Sequence, residues 1–155
     1  MVDALIIAGG IGKIITYKVP LAGAVAGCQA ECGASSAMAA GAATYIMNGS
    51  NEDILHASAL ALKNLLGLTC DPIGGLVEVP CIKRNAFLAV EAVVASEMSL
   101  AGIISHIPLD EVIDAMNQTG KLMSPLLKES SEGGLAVTKT ALDIQEKFTG
   151  ITNYS

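Results

Sequence analysis

The chain has 155 residues, a formal net charge of −6, three Tyr, two Phe and no Trp. An acidic chain with so few rings offers neither a surface for phosphates nor a platform for stacked bases, so no nucleic-acid partner is expected. Its mean hydropathy of +0.54, with only 15% charged residues, leaves two explanations: membrane insertion, or unusually complete burial in a core or against a partner.

In chain order, Leu5–Ala8 reads as a short strand candidate that opens LIIAGGIGKII. That run imitates a strand, a glycine turn and a helix, but Ile14 stands where a phosphate loop needs Ser or Thr after Gly12-Lys13. The dinucleotide pattern fails as well, at Ile15. The uncharged stretch from Cys32 to Asn51 is the best candidate for a membrane span, yet Ala, Gly, Ser and Asn48 fill it, so no membrane partner is expected. Cys32–Met47 reads instead as a helix of small residues.

Glu52–Leu66 carries Ile54, Leu55, Ala57, Ala61, Leu62, Leu65 and Leu66 at helical spacing, with Ser50 and Asp53 as a capping box and Gly67 as its end. Asp71–Pro80 holds two prolines and a Gly-Gly pair and is a shaped loop, with Leu76–Val79 a second strand candidate. A helix starts at Cys81 or Ile82 and runs to about Ile104. Its charges after the first turn are Glu91 and Glu97 alone, which predicts an interior helix. Leu109–Gly120 is amphipathic, with Leu109, Val112, Ile113 and Met116 on one face. A last helix spans about Thr140 to Phe148. Helices so outnumber strand candidates that the expected fold class is all-α, a bundle of mostly buried helices with the Pro/Gly-rich cysteine loop between two of them.

Chemistry concentrates at the cysteines. Cys28 lies in AGAVAGCQAECG, and Cys70 and Cys81 lie in GLTCDPIGGLVEVPCIKRNA. Met1-Val2-Asp3 is not the basic start of a secretory signal, so the expected location is the cytoplasm, where thiols stay reduced and gathered cysteines bind metal. Three thiolates can hold a four-iron cluster and leave one iron open as a Lewis acid. Cys32 follows Cys28 by one helical turn and shares its face. As a fourth ligand it would close the cluster; as a small buried residue it would leave the iron open. None of the spacings resembles a compact zinc ribbon or finger.

From about Gly10 to about Lys139, these frames resemble the alpha chain, or catalytic domain, of the iron-sulfur-dependent L-serine dehydratases. The resemblance implies a mostly helical fold and a 4Fe-4S cluster held by Cys28, Cys70 and Cys81, with Cys32 outside the ligand pattern. It implies removal of water from L-serine to give pyruvate and ammonia, in amino-acid degradation and gluconeogenesis. It further implies a companion beta chain or regulatory domain and a homo- or hetero-oligomer. The family's alpha chain carries a long stretch ahead of the matching part, so residues 1–155 are read as a single domain, its C-terminal cluster-binding part. Related iron-sulfur proteins remove sulfide from L-cysteine, and the cysteine spacing does not choose between the two. A non-catalytic, metal-stabilised subunit is the third reading.

Asp71, Arg84 and Asn85 flank the cysteines and are the candidate substrate contacts, Arg84 for a carboxylate. The alternatives are an Asx turn at Asp71 and an ion pair of Arg84 with Glu78 or Glu91. Gly133, Gly134, Thr138 and Lys139 match a glycine-bearing segment late in the family's alpha chain, where backbone amides can approach an anion. The catalytic base has no candidate of equal weight: His56 falls on the polar side of its helix and His106 in a connector. The resemblance places the family's base histidine in a Ser-His-Thr segment of its other domain or beta chain, which this sequence does not contain.

Overall fold

The structure, a computed structural model, describes residues 1–152. Seven α-helices follow one another: α1 Val2–Lys18, α2 Gly23–Ala26, α3 Ala34–Ile46, α4 Asn51–Asn64, α5 Cys81–Leu100, α6 Leu109–Leu122 and α7 Lys139–Thr152. A π-helical turn, Gln29–Gly33, runs directly into α3, and short 3-10 turns occupy Pro125–Leu127 and Gly134–Val137. Among the described residues there is no strand, only isolated bridges at Cys70–Lys128 and Ile73–Leu76. The all-α expectation therefore holds. Both strand candidates fail: Leu5–Ala8 lies inside α1, and Leu76–Val79 is turn after the isolated bridge at Leu76.

α3 is the axis of the bundle, packed by α1, α4 and α5. Its small residues make this possible, because Ala34, Ala37 and Ala40 are buried and let three neighbours approach at once. The larger core cluster joins Ile11 and Ile15 of α1, and Val19 just past its end, to Ile54 and Leu62 of α4 and to Val112, Ile113 and Met116 of α6. A second cluster seats Ala92 and Ala95 of α5 against Ala57, Leu60 and Ala61 of α4. Between α3 and α5 the hydroxyls of Thr44 and Ser96 meet at 2.8 Å, so this polar pair is satisfied where it is buried.

The capping box forms as its sequence predicts, with Asp53 N donating to Ser50 Oγ at 3.1 Å and Ser50 N donating to Asp53 Oδ2 at 2.8 Å. The hydroxyl of Ser50, followed by its backbone N–H, holds the Asp53 carboxyl below its ordinary range. α6 buries the face that its pattern assigns.

α5 departs from expectation. It is not an interior helix, because Ile82, Phe87, Val90, Val93 and Val94 are exposed, Phe87 at 79%. One side of α5 packs on α3 and α4, and no other described element packs extensively on the opposite side. The glycines of α1 also read differently in three dimensions. Gly9, Gly10 and Gly12 form no turn and continue the helix, although each glycine costs a helix interior about 1 kcal/mol relative to alanine. No helix of the described residues is long and apolar enough to cross a membrane.

Candidate metal centre

Two breaks in helical geometry deliver the first thiols. Gly27, at φ 80°, ends α2 in a conformation that favours glycine, and Cys28 then enters the π turn that carries Cys32. Gln29 fixes this turn from beneath. Its side chain, fully buried, donates to Ala26 O at 2.8 Å and Met116 O at 3.1 Å, and accepts from Gly67 N at 3.0 Å. One amide thus joins the end of α2, the middle of α6 and the turn after α4.

The third thiol arrives on the loop after α4. Cys70 N donates to Leu127 O at 2.9 Å, and Glu129 N donates to Cys70 O at 2.7 Å, so the segment after α6 holds Cys70 from both sides of its peptide. Glu129 and Ser131 both adopt positive φ, 64° and 57°, unusual for residues with a Cβ. Ser131 Oγ donates to Pro72 O at 2.7 Å and accepts from Gly75 N at 3.0 Å. The loop is therefore strapped to residues 127–135.

Cys28, Cys32 and Cys70 form one buried patch with Leu68 and Leu88 packed against it. All four cysteines are free thiols. Cys28 and Cys32 share a hydrogen bond at 3.4 Å, and Cys32 Sγ also donates to Asn85 Oδ1 at 3.5 Å. Ligand atoms of Cys28, Glu31 and Cys70 all lie within 4.8 Å of one another. Gly23 makes this convergence possible: a Cβ there would stand 2.9 Å from Cys70 Sγ and 3.3 Å from Glu31 Oε2. Its backbone N–H donates to Glu31 Oε1 at 3.0 Å, aiming the carboxylate at the thiols.

The electrostatics separate the thiols. The hydrogen bond with Cys32, then the charge of Arg84, brings the Cys28 thiol down from its ordinary 9.0 to about 7 despite burial. Cys32 is pushed up by that same hydrogen bond and by burial. Burial, then proximity to Cys28, raises Cys70 to about 12, and burial raises Cys81. Thiols gathered around one guanidinium are a donor set for a soft metal, and the missing Cβ of Gly23 is what lets Cys70 and Glu31 crowd in beside them.

A sequence model of the serine dehydratase alpha chain matches residues 1–136. The chain belongs to this family. It is 48% identical over 97% of its length to a probable L-serine dehydratase alpha chain of Bacillus subtilis, of which it covers 50%. It is 44% identical over 94% of its length to a probable L-serine dehydratase alpha chain of Latilactobacillus sakei, covering 70% of that protein. It is 47% identical over 90% of its length to the L-serine dehydratase alpha chain of Peptoniphilus asaccharolyticus, covering 48%. The chain thus spans about half the length of two of these three relatives.

Within this alpha-chain fold the sequence-derived residues fall into distinct places. Cys81, the first residue of α5, is half-buried and stands close enough to raise the thiol values of Cys32 and Cys70, yet it lies outside the 4.8 Å group. Glu31 takes the third place in that group and was not foreseen. The signal available for it was a carboxylate between two cysteines in CQAEC.

Asp71 and Arg84 meet each other rather than solvent. Arg84 Nη2 lies 2.9 Å from Asp71 Oδ1, and Arg84 Nη1 donates to Thr69 O at 2.7 Å. Neither Glu78 nor Glu91 is its ion-pair partner: Glu91 instead accepts from Ser36 Oγ in a short hydrogen bond. Asp71 makes no Asx turn either, because its Oδ2 accepts from Leu135 N, 64 residues away, at 2.8 Å. Gly134 at φ 60° permits that contact, since a Cβ there would press on the Asp71 carboxylate.

Asn85 lines a hollow of about 170 Å³ together with Cys32, Ser35, Ser36, Leu88 and Ala89. Thr138 caps α7, accepting from Ala141 N at 3.4 Å, and Lys139 is exposed at the start of that helix. His56 lines a separate hollow with Glu52, Leu55 and Pro108, and His106 is exposed. Neither histidine is grouped with the thiols.

Proposed function

We propose that this chain is the cluster-bearing catalytic part of an L-serine dehydratase, a lyase that converts L-serine to pyruvate and ammonia. The observation that carries the reading is the buried patch of Cys28, Cys32 and Cys70 beside Arg84, in a chain of the alpha-chain family. Cys28, Cys70 and Cys81 would hold a 4Fe-4S cluster. When bound, that cluster supplies a Lewis acid toward the hydroxyl that leaves.

The protein's own contribution is charge and order. Arg84 offsets the negative charge that the thiolates gather, and Asp71 fixes its guanidinium while tethering Leu135 to the loop. Cys32 donates a hydrogen bond to Asn85 and shares one with Cys28, which suits a neighbour of the ligands rather than a ligand. The hollow beside Asn85 has room for a small amino acid, and Ser35 and Ser36 supply hydroxyls along it. In the reaction the Cα–H and Cβ–O bonds break, the electron pair of the former makes the Cα–Cβ double bond, and the hydroxyl leaves as water. The aminoacrylate formed tautomerises and hydrolyses to pyruvate and ammonia. A base from polypeptide outside this chain takes the α-proton, in keeping with the placement of His56 in a separate hollow and the exposure of His106.

Turnover tests this. After anaerobic reconstitution with the rest of a dehydratase, the complex should form pyruvate from L-serine in preference to releasing sulfide from L-cysteine. Faster sulfide release would assign the site to the other leaving group, and no turnover of either by an iron-loaded complex would contradict a catalytic role.

A further inference from the structure

α1 turns an uncovered apolar face outward. Val2, Leu5, Ile6 and Tyr17 are 71%, 70%, 64% and 89% exposed. Their helical spacing sets them on one side, with Gly9 and Gly10 between them. Between Leu5 and Tyr17 the face carries a single charge, Lys13. Two hollows of about 370 and 310 Å³ run along its flank and share Ile14 as a wall; the first also touches Ile6, Gly10 and Leu55.

The glycines are the telling part. A Cβ on Gly12 would meet Met38 Sδ at 2.9 Å, and one on Gly41 would meet Ser58 Oγ at 2.8 Å, so these two glycines serve packing within the chain. Gly9 and Gly10 have nothing within 4 Å of where a Cβ would sit. The described structure gives no packing reason for two adjacent glycines in the middle of a helix that they weaken. A bare helical backbone flanked by large apolar side chains is what a second helix needs for a close crossing.

The family supplies the occupant, because its Bacillus subtilis and Peptoniphilus asaccharolyticus alpha chains are about twice as long as the part matched here. We propose that the α1 face seats an apolar helix from the part of the alpha chain outside the matched residues, crossing α1 at Gly9 and Gly10. The inference rests on family membership and fold, and not on the proposed catalysis.

The test coexpresses the 155-residue chain with the unmatched polypeptide of the Bacillus subtilis alpha chain. In a second format a long flexible linker joins the two. Hydroxyl-radical footprinting reads the exposed ring of Tyr17. The expected result is loss of most Tyr17 oxidation in both formats. Gly10→Leu should restore the oxidation without lowering the thermal midpoint of the chain alone, whereas Gln118→Leu, on the exposed side of α6, should leave the protection intact. Undiminished Tyr17 oxidation in both formats, or protection that survives Gly10→Leu, would overturn the proposal. Protection of Tyr17 in the chain alone through self-association would overturn it too, by giving the face to a second copy.

Discussion

The cysteine corner and the α1 face use glycine in opposite ways. Gly23 is enclosed: Cys70 and Glu31 occupy the space where its Cβ would be. Gly9 and Gly10, on a helix only a few residues upstream, meet nothing. The corner is assembled from within this chain, since each break in the helices there is answered by a side chain or a strap from elsewhere in the fold. The α1 face is left open by the same fold. Crowding marks the region whose geometry the chain itself sets, and bareness marks the region we propose as the seat of a further helix.

The largest expected effect sharpens the corner. In anaerobically reconstituted protein, Cys70→Ser should abolish bound iron, whereas Cys32→Ser should retain it; iron and sulfide analysis reads both. Equal loss in the two variants would make Cys32 a ligand and close the site. Next, Gln29→Leu removes the buried amide's hydrogen bonds to Ala26 O and Met116 O and the one it accepts from Gly67 N, and should lower stability by about 3 kcal/mol in denaturant unfolding, with the Cys28 turn loosened.

A paired glycine test addresses the contrast itself. Gly23→Ala should destabilise by about 1–3 kcal/mol, because Cys70 is short and buried and has little room to yield. Gly10→Ala in the chain alone should stabilise by up to about 1 kcal/mol through helix propensity. If both variants lose stability alike, the contrast fails.

The smallest effect is a pH dependence on α5. Burial raises the Glu91 carboxyl above its ordinary 4.5, partly opposed by the Ser36 hydroxyl. A group raised on folding favours the native state below its unfolded value, and that contribution is lost as pH climbs through the folded one. Glu91→Gln keeps an acceptor for Ser36 and removes the burial of charge. Its thermal midpoint should exceed that of the unsubstituted chain at neutral pH, and the gap should close in acid below about pH 4.5.

How much of this was legible in the sequence depended on the range of the interactions. The α4 capping box and the buried face of α6 are written within a few residues, and both appear as read. The start of α5 at Cys81 follows from Pro80 before it. α1 was obscured because its glycines mimic a turn, while the apolar residues that keep it helical pack on α3, α4 and α6. Asp71 and Arg84 stand out in the sequence because they flank the cysteines, but their partners lie across the fold at Leu135 and in each other. Gln29 and Glu31 were passed over, since a buried amide or an exposed carboxylate in an Ala-rich stretch announces itself only when the groups it serves are known. The exposure of α5 escaped for a related reason: an apolar helix signals burial without saying whether the same chain provides the cover.

We propose that the thiols of this corner hold an iron-sulfur cluster that meets L-serine. Anaerobic reconstitution followed by spectroscopy, with and without L-serine, tests it most directly. A four-iron signal that shifts when serine is added is the expected result. A chain that takes up no cluster, or a cluster indifferent to serine in the reconstituted complex, would contradict it.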